Sequence, residues 1–243
     1  MRWRDWPARR RRGVARLTAK QWSGLSAFAV LTIVVAVSVG LPETARTVAP
    51  ERVREARAAL AALSVLPERP PHDTAYDRGT FGSAWTDASD APGAGNGCDT
   101  RNDILARDLE VTGRVPIASC PRAVSSGVLI SPYTGRQIVF ERGRSSAAVQ
   151  IDHVVALSYA WDLGAKDWSS TRRTRFANDP SNLLAVDGPS NMDKSDAEPA
   201  AWMPPLDGFA CQYAVQVVTV LAAYGLPVDD PSRRVLERAL AGC

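Results

Sequence analysis

The chain has 243 residues, with 29 Lys and Arg against 26 Asp and Glu and a formal net charge of +3. The basicity sits at one end: residues 1–20 hold eight basic side chains and one acid, a net of +7, so the remainder carries −4. That distribution excludes a strongly basic nucleic-acid reader as the body of the protein. Two histidines, and four cysteines with no C-x-x-C pair, argue equally against a structural zinc module.

In chain order, residues 1–20 read as a basic cytoplasmic tail. Residues 21–42 contain no charge and read as a transmembrane or signal segment, since about 20 helical residues cross a hydrocarbon layer of roughly 30 Å. The basic flank stays inside and sends the C-terminal side outward. A retained single-pass anchor is favoured over a cleaved signal peptide, because the apolar run is longer than a usual signal core. Either places the rest outside the cytoplasm, and all four cysteines fall there, as an oxidising compartment requires.

Residues 43–75 read as a linker or stalk with a short Ala-rich helix over 51–66, taken as a tether to the membrane with a docking helix as the alternative, and 76–243 as the functional domain. Within that domain 91–97 reads as a flexible Gly-rich loop and 102–109 as a helix. Residues 127–130 and 137–140 read as a hairpin about the turn 131–135. The β-branched run 149–155 predicts a strand and 183–186 a second one. The turn 187–190 opens a helix that carries Asn191 and Lys194 three apart on one face. Between the strands lies an insertion, 158–178, with Tyr159, Trp161, Trp168 and the basic cluster Arg172, Arg173 and Arg175. Two C-terminal helices, 209–224 and 231–240, read as core cladding. His72, among prolines, reads as exposed and uninvolved.

The chemistry lies in Asp152-His153, Asn182-Leu183 and Asn191-x-x-Lys194. Hydrolysis of a phosphodiester needs a base that is neutral near pH 7, which histidine supplies. It also needs a Lewis acid for the developing charge, and a hard divalent cation takes oxygen ligands such as an Asp carboxylate and an Asn carbonyl. Adjacent strand residues face opposite ways, so Asp152 and His153 share a site only where their strand ends.

This ordered set resembles the HNH, or ββα-metal, endonucleases. Further features are Tyr76-Asp77-Arg78, Gly97-Cys98-Asp99-Thr100-Arg101, Phe176-Ala177-Asn178-Asp179-Pro180-x-Asn182-Leu183 and Asp196-x-x-Pro199-x-x-Trp202. With these the chain is similar to a small secreted or membrane-anchored bacterial branch over residues 76–243. The resemblance implies an α+β fold: a ββα-metal core with an added hairpin and C-terminal helices, after one N-terminal transmembrane or signal helix. It implies His153 as general base, Asp152 and Asn191 as ligands of Mg²⁺ (or Mn²⁺), and Asn182 as the residue holding the His-bearing loop. Lys194 would contact substrate phosphate or brace its helix, and Arg172, Arg173 and Arg175 would grip the phosphate backbone. Ala156 stands where such relatives commonly carry Pro. The implied reaction is hydrolysis of DNA phosphodiesters with largely sequence-independent binding. A nuclease acting on RNA and a catalytically inactive extracytoplasmic binding module stand as alternatives, and no protein partner is inferable. Four cysteines allow three pairings; proximity and the resemblance imply Cys98–Cys120 and Cys211–Cys243, each contributing roughly 3 kcal/mol.

Overall fold

The computed structural model describes residues 48–243; the predicted basic tail and apolar segment, residues 1–20 and 21–42, lie outside them. Among the described residues no helix is long and apolar enough to cross a membrane. The first element, α1 (Pro50–Ala62), begins with a proline whose missing N–H costs nothing in a first turn. Val53, Ala56 and Leu60 follow at helical spacing and are buried in the larger hydrophobic core. Arg57 donates to the carbonyl of Leu240 at 2.5 Å. The stalk reading of residues 43–75 is therefore corrected for its described part, because docking this face takes it out of water. Beyond α1, β1 (Val65–Leu66) pairs in parallel with Val228 and Asp229 near the C-terminus.

Asp99 caps α2 (Thr100–Asp108) by accepting from the N–H of Asn102. The next three strands, β2 (Glu110–Ile117), β3 (Cys120–Ile130) and β4 (Gln137–Glu141), form an antiparallel sheet in sequence order. The expected hairpin is its β3–β4 half. The strand β2 was not expected: Gly113 and Pro116 interrupt its alternation, and its register against β3 shifts on both sides of Gly113. The loop 91–97 is not loose either, because the Asp87 carboxylate accepts the N–H groups of Gly95, Asn96 and Gly97 at 2.7, 3.2 and 2.9 Å.

Two strands and a helix come next: β5 (Val149–His153), β6 (Leu183–Asp187) and α5 (Gly188–Lys194). The strands are antiparallel, with Asp152 opposite Leu184 and His153 opposite Leu183. The insertion between them folds as α3 (Leu157–Asp162) and α4 (Ser170–Asn178). One face of the ribbon sends Val149, Ile151, Leu183 and Ala185 into a smaller core shared with α2 and the three-stranded sheet, while Val186 on the other face enters the larger core. Gly188 lets α5 start close to the chain ahead of β5, since a Cβ there would stand 2.7 Å from the carbonyl oxygen of Ala147.

The larger core is built on α6 (Ala210–Tyr224), whose Tyr213, Ala214, Val217, Val218 and Leu221 are buried. Gly225 ends it at φ +61°, the left-handed conformation that glycine adopts without strain. β7 (Val228–Asp229) leads into α7 (Asp230–Ala241), capped by Asp229. The disulfides join Cys98 to Cys120 and Cys211 to Cys243, so the second ties the C-terminus to the start of α6.

Candidate active site

The ribbon ends at His153, and the chain then turns through Val154 and Val155 under the control of one side chain. Asn182, wholly buried, accepts the N–H of Val155 at its Oδ1 (2.8 Å) and donates from Nδ2 to the Val155 carbonyl (3.2 Å). Its own carbonyl accepts from the N–H of Val154 at 2.8 Å. Asn182 therefore positions the turn after His153, and its side chain is spent on that. Asp187 does the equivalent for α5, accepting from the N–H of Ser190 at 2.9 Å and from the Ser131 hydroxyl at 2.6 Å. Burial pushes its carboxyl up, but the bonds from Ser131, Ser190 and Thr134 outweigh this and hold it below the usual range.

The imidazole of His153 is 6% exposed, with Nε2 2.9 Å from the carbonyl of Ala177. A carbonyl only accepts, so Nε2 carries the proton and Nδ1 keeps its lone pair. Nδ1 has no hydrogen-bond partner among the described residues, and no buried side-chain nitrogen or oxygen there lacks one. It therefore keeps some accessible surface, and His153 lines two cavities. The indole of Trp85 lies nearly parallel to the ring, 12° between planes and 5.5 Å between centroids. Burial, helped by the nearby cations Arg78 and Lys194, pushes the imidazole down to about 3.

Asp152, 5% exposed, stands on the opposite face of the strand. Its Oδ2 accepts from the Tyr133 hydroxyl at 2.5 Å and its Oδ1 from Lys194 Nζ at 3.0 Å. Burial raises its carboxyl, against the opposing pull of Lys194 and Tyr133. Lys194 is fully buried and also donates to the carbonyl of His153 at 2.9 Å. The expectation that Lys194 contacts substrate phosphate is thus corrected: its ammonium braces α5 against the end of β5. Tyr133 had no signal in the sequence beyond its place in a hairpin turn, yet it holds one oxygen of Asp152.

Asn191 donates from Nδ2 to Gln150 Oε1 at 2.7 Å, which leaves its Oδ1 as the unused group. Each oxygen of Asp152 keeps a second lone pair. One carboxylate and one carboxamide oxygen suit a hard divalent cation that retains most of its waters. The donor set therefore fits the implied metal, although Lys194 already offsets the carboxylate charge. Among the described residues no cluster of three His, Cys, Asp or Glu offers a richer metal site.

Asp152, His153 and Asn191 line one cleft of about 480 Å³, together with His72, Arg78 and Asp196. His72 is exposed, as expected. Its side chain is half-exposed on the cleft wall, with Nδ1 3.3 Å from Ser158 Oγ and 3.5 Å from Asp162 Oδ2. The arginines of α4 are elsewhere. Arg172 donates to the Tyr224 carbonyl at 2.6 Å and stacks over Trp168. Arg173 donates to the carbonyls of Thr80, Lys166 and Trp168. Arg175 faces Asp90 at 3.5 Å. Arg172 and Arg175 line a separate cavity that shares no residue with the His153 cleft. Proximity in sequence did not bring them to the site.

Residues 99–234 match the family described as GmrSD restriction endonucleases, C-terminal domain, which is more than half of the chain. The chain belongs to this family. A fungal relative from Arthroderma benhamiae, described as an uncharacterized secreted protein, is 35% identical over 223 residues, covering 89% of this chain and 99% of its own length. The likeness thus reaches beyond a bacterial branch. No solved structure matches the chain. The segment that matches the GmrSD C-terminal domain contains the whole ββα unit with Tyr133, Asp152, His153, Asn182, Asn191 and Lys194. It leaves α1 and the stretch from Arg78 to Trp85 outside.

The burial of His153 has a consequence for stability. Its folded value lies below the ordinary 6.5, so between about pH 3 and 6.5 the unfolded chain binds a proton that the folded chain does not. Stability from the neutral ring is fully present above that window and is lost on acidification, by about 2 kcal/mol at pH 5. Asp152 acts in the reverse sense, since a raised carboxyl favours the folded state on the acid side. Denaturation midpoints of wild type should therefore fall more from pH 7 to 5 than those of His153→Gln. Equal slopes would show that the ring is not buried as described.

Proposed function

We propose that this protein is a metal-dependent endonuclease that hydrolyses DNA phosphodiester bonds in the His153 cleft. One arrangement carries the reading: His153, whose Nδ1 has no partner among the described residues, Asp152 and Asn191 line one cleft at the end of a ββα unit. Membership of a family of restriction endonucleases supports it. Nδ1 of His153 accepts a proton from water, whose oxygen attacks phosphorus. The 3′ oxygen departs and takes a proton from solvent, leaving 5′-phosphate and 3′-hydroxyl ends. The Ala177 carbonyl keeps the ring in the tautomer this needs, and Asn182 keeps the turn beneath it in place. Asp152 and Asn191 would hold a divalent cation, most simply Mg²⁺, which as a Lewis acid supplies stabilisation of charge on the phosphoryl and leaving oxygens.

An extracytoplasmic location is supported by the two disulfides and by the secreted relative. The test is conversion of supercoiled plasmid by the full-length chain with Mg²⁺ or Mn²⁺. Truncation at residue 76 is unsuitable because α1 belongs to the core. Nicking is expected with the cation and none in excess EDTA; undiminished nicking in EDTA would overturn the metal-dependent reading. A labelled RNA run alongside separates DNA from RNA as substrate. The buried Asp152–Lys194 pair favours a second reading, an inactive binding module in which lysine has taken over the carboxylate. Absence of nicking with every divalent cation would select it.

A further inference from the structure

The cleft does not end at His153. Arg78, His153 and Leu157 also border a second cavity, of about 260 Å³, walled mainly by carbon from Phe81, Ala84, Trp85 and Ala177. Arg78 thus stands at the junction of a polar cleft and an apolar pocket. Its guanidinium is exposed and makes no hydrogen bond or ion pair among the described residues, whereas Arg69 and Arg173 are tied to protein acceptors.

The backbone that presents Arg78 is held at several points. Arg78–Phe81 is a 3-10 turn capped by Asp77, whose carboxylate accepts the N–H of Gly79 at 2.8 Å. Arg173 donates to the carbonyl of Thr80 at 3.0 Å, and Phe81 is buried in the core. Gly82 has φ +91°, and a Cβ there would come within 2.6 Å of the Thr174 hydroxyl, so the stretch lies hard against α4. Trp85 is fixed through its carbonyl, which accepts from the N–H of Thr100 at 3.0 Å, and through its ring on His153. A rigid loop that offers one unpaired cation beside a small aromatic-lined pocket matches the two halves of a nucleotide. A guanidinium grips phosphate oxygens through its fork of donors, and an apolar aromatic pocket accepts any base through its π-face.

We propose that residues 78–85 form a nucleotide subsite beside His153, with Arg78 on the phosphate and the pocket behind it on the base. The inference rests on the nuclease reading for its biological sense. It adds that the substrate must offer an unpaired base at the cut, because a base in duplex has to leave its stack to enter.

The subsite is tested without catalysis, by NMR titration of the full-length chain in EDTA with AMP, ribose 5-phosphate and inorganic phosphate. AMP should bind at least about fivefold more tightly than ribose 5-phosphate, as expected from placing one base on an aromatic wall. Arg78→Ala should weaken both by about tenfold or more, the loss expected for a charged hydrogen bond, and Arg78→Lys should recover part of it. Ala84→Trp, at an exposed position on the pocket wall, should remove the advantage of AMP and spare ribose 5-phosphate. Equal binding of AMP and ribose 5-phosphate by wild type, or affinities unmoved by Arg78→Ala, would overturn the proposal. A chain that binds in the expected pattern but does not nick plasmid keeps the subsite and loses the reaction. A chain that nicks plasmid without the pattern loses the subsite alone.

Discussion

His153→Ala is expected to slow plasmid nicking by about 10²- to 10⁴-fold, the usual contribution of a positioned general base, whereas His72→Ala should cost no more than a few-fold. Both histidines border the cleft, so position alone does not separate them. Hydrogen bonding does. His153 has Nε2 on a backbone carbonyl and Nδ1 free, and its burial keeps it neutral. His72 directs Nδ1 at Ser158 and Asp162, and its side chain is half in solvent. The measurement is the initial rate of conversion of supercoiled plasmid at saturating Mg²⁺ for wild type and both variants. Asn182→Ala belongs in the same series as a positioning control. It removes both side-chain bonds to Val155 and should lower the rate while Asn182→Asp, which keeps the acceptor, retains more of it. A His153→Ala chain that nicks as fast as wild type would remove the base from the scheme.

How much of this was legible before folding depends on which physical signals are local. The ββα unit was readable because a β-branched run, a second apolar run and a turn that opens a helix are contiguous, and side-chain alternation fixes that Asp152 and His153 meet only at a strand end. Strand β2 was hidden because Gly113 and Pro116 break the alternation that marks strands. From sequence the docking of α1 is the lesser of two readings, because Val53, Ala56 and Leu60 form a narrow stripe in an Ala- and Arg-rich helix that reads equally well as solvated. The arginines of α4 read as a phosphate grip by their nearness in sequence to His153. In space Arg172 and Arg173 donate to backbone carbonyls and Arg175 faces Asp90. Arg78 stood in a motif with no role attached, and only the shared wall of two cavities gives it one. Tyr133 shows the same limit: its contact with Asp152 bridges 19 residues and two separate sheets.

Replacing Lys194 by methionine should destabilise the protein by about 3–5 kcal/mol, because it strands the Asp152 carboxylate in the interior without its countercharge. The contact is a 3.0 Å ion pair between two side chains at 0% and 5% exposure, so without Lys194 the carboxylate keeps the Tyr133 hydroxyl and little water from the cleft. Asp152→Asn should also be costly, since it leaves a buried ammonium with neutral carbonyl acceptors and no countercharge. The double variant Asp152→Asn/Lys194→Met removes both charges and should cost clearly less than the two single changes together, a coupling that chemical denaturation of the four proteins measures. Additive costs would mean that the two groups do not share their charge as the geometry indicates. The same pair bears on the cation. With Lys194 gone, Asp152 regains a full uncompensated charge, and added Mg²⁺ should raise the denaturation midpoint of Lys194→Met more than that of wild type through binding to the folded state. Equal shifts in both proteins would place the cation away from Asp152, and Asn191→Ala, which removes the proposed second oxygen, would then leave the Mg²⁺ effect unchanged.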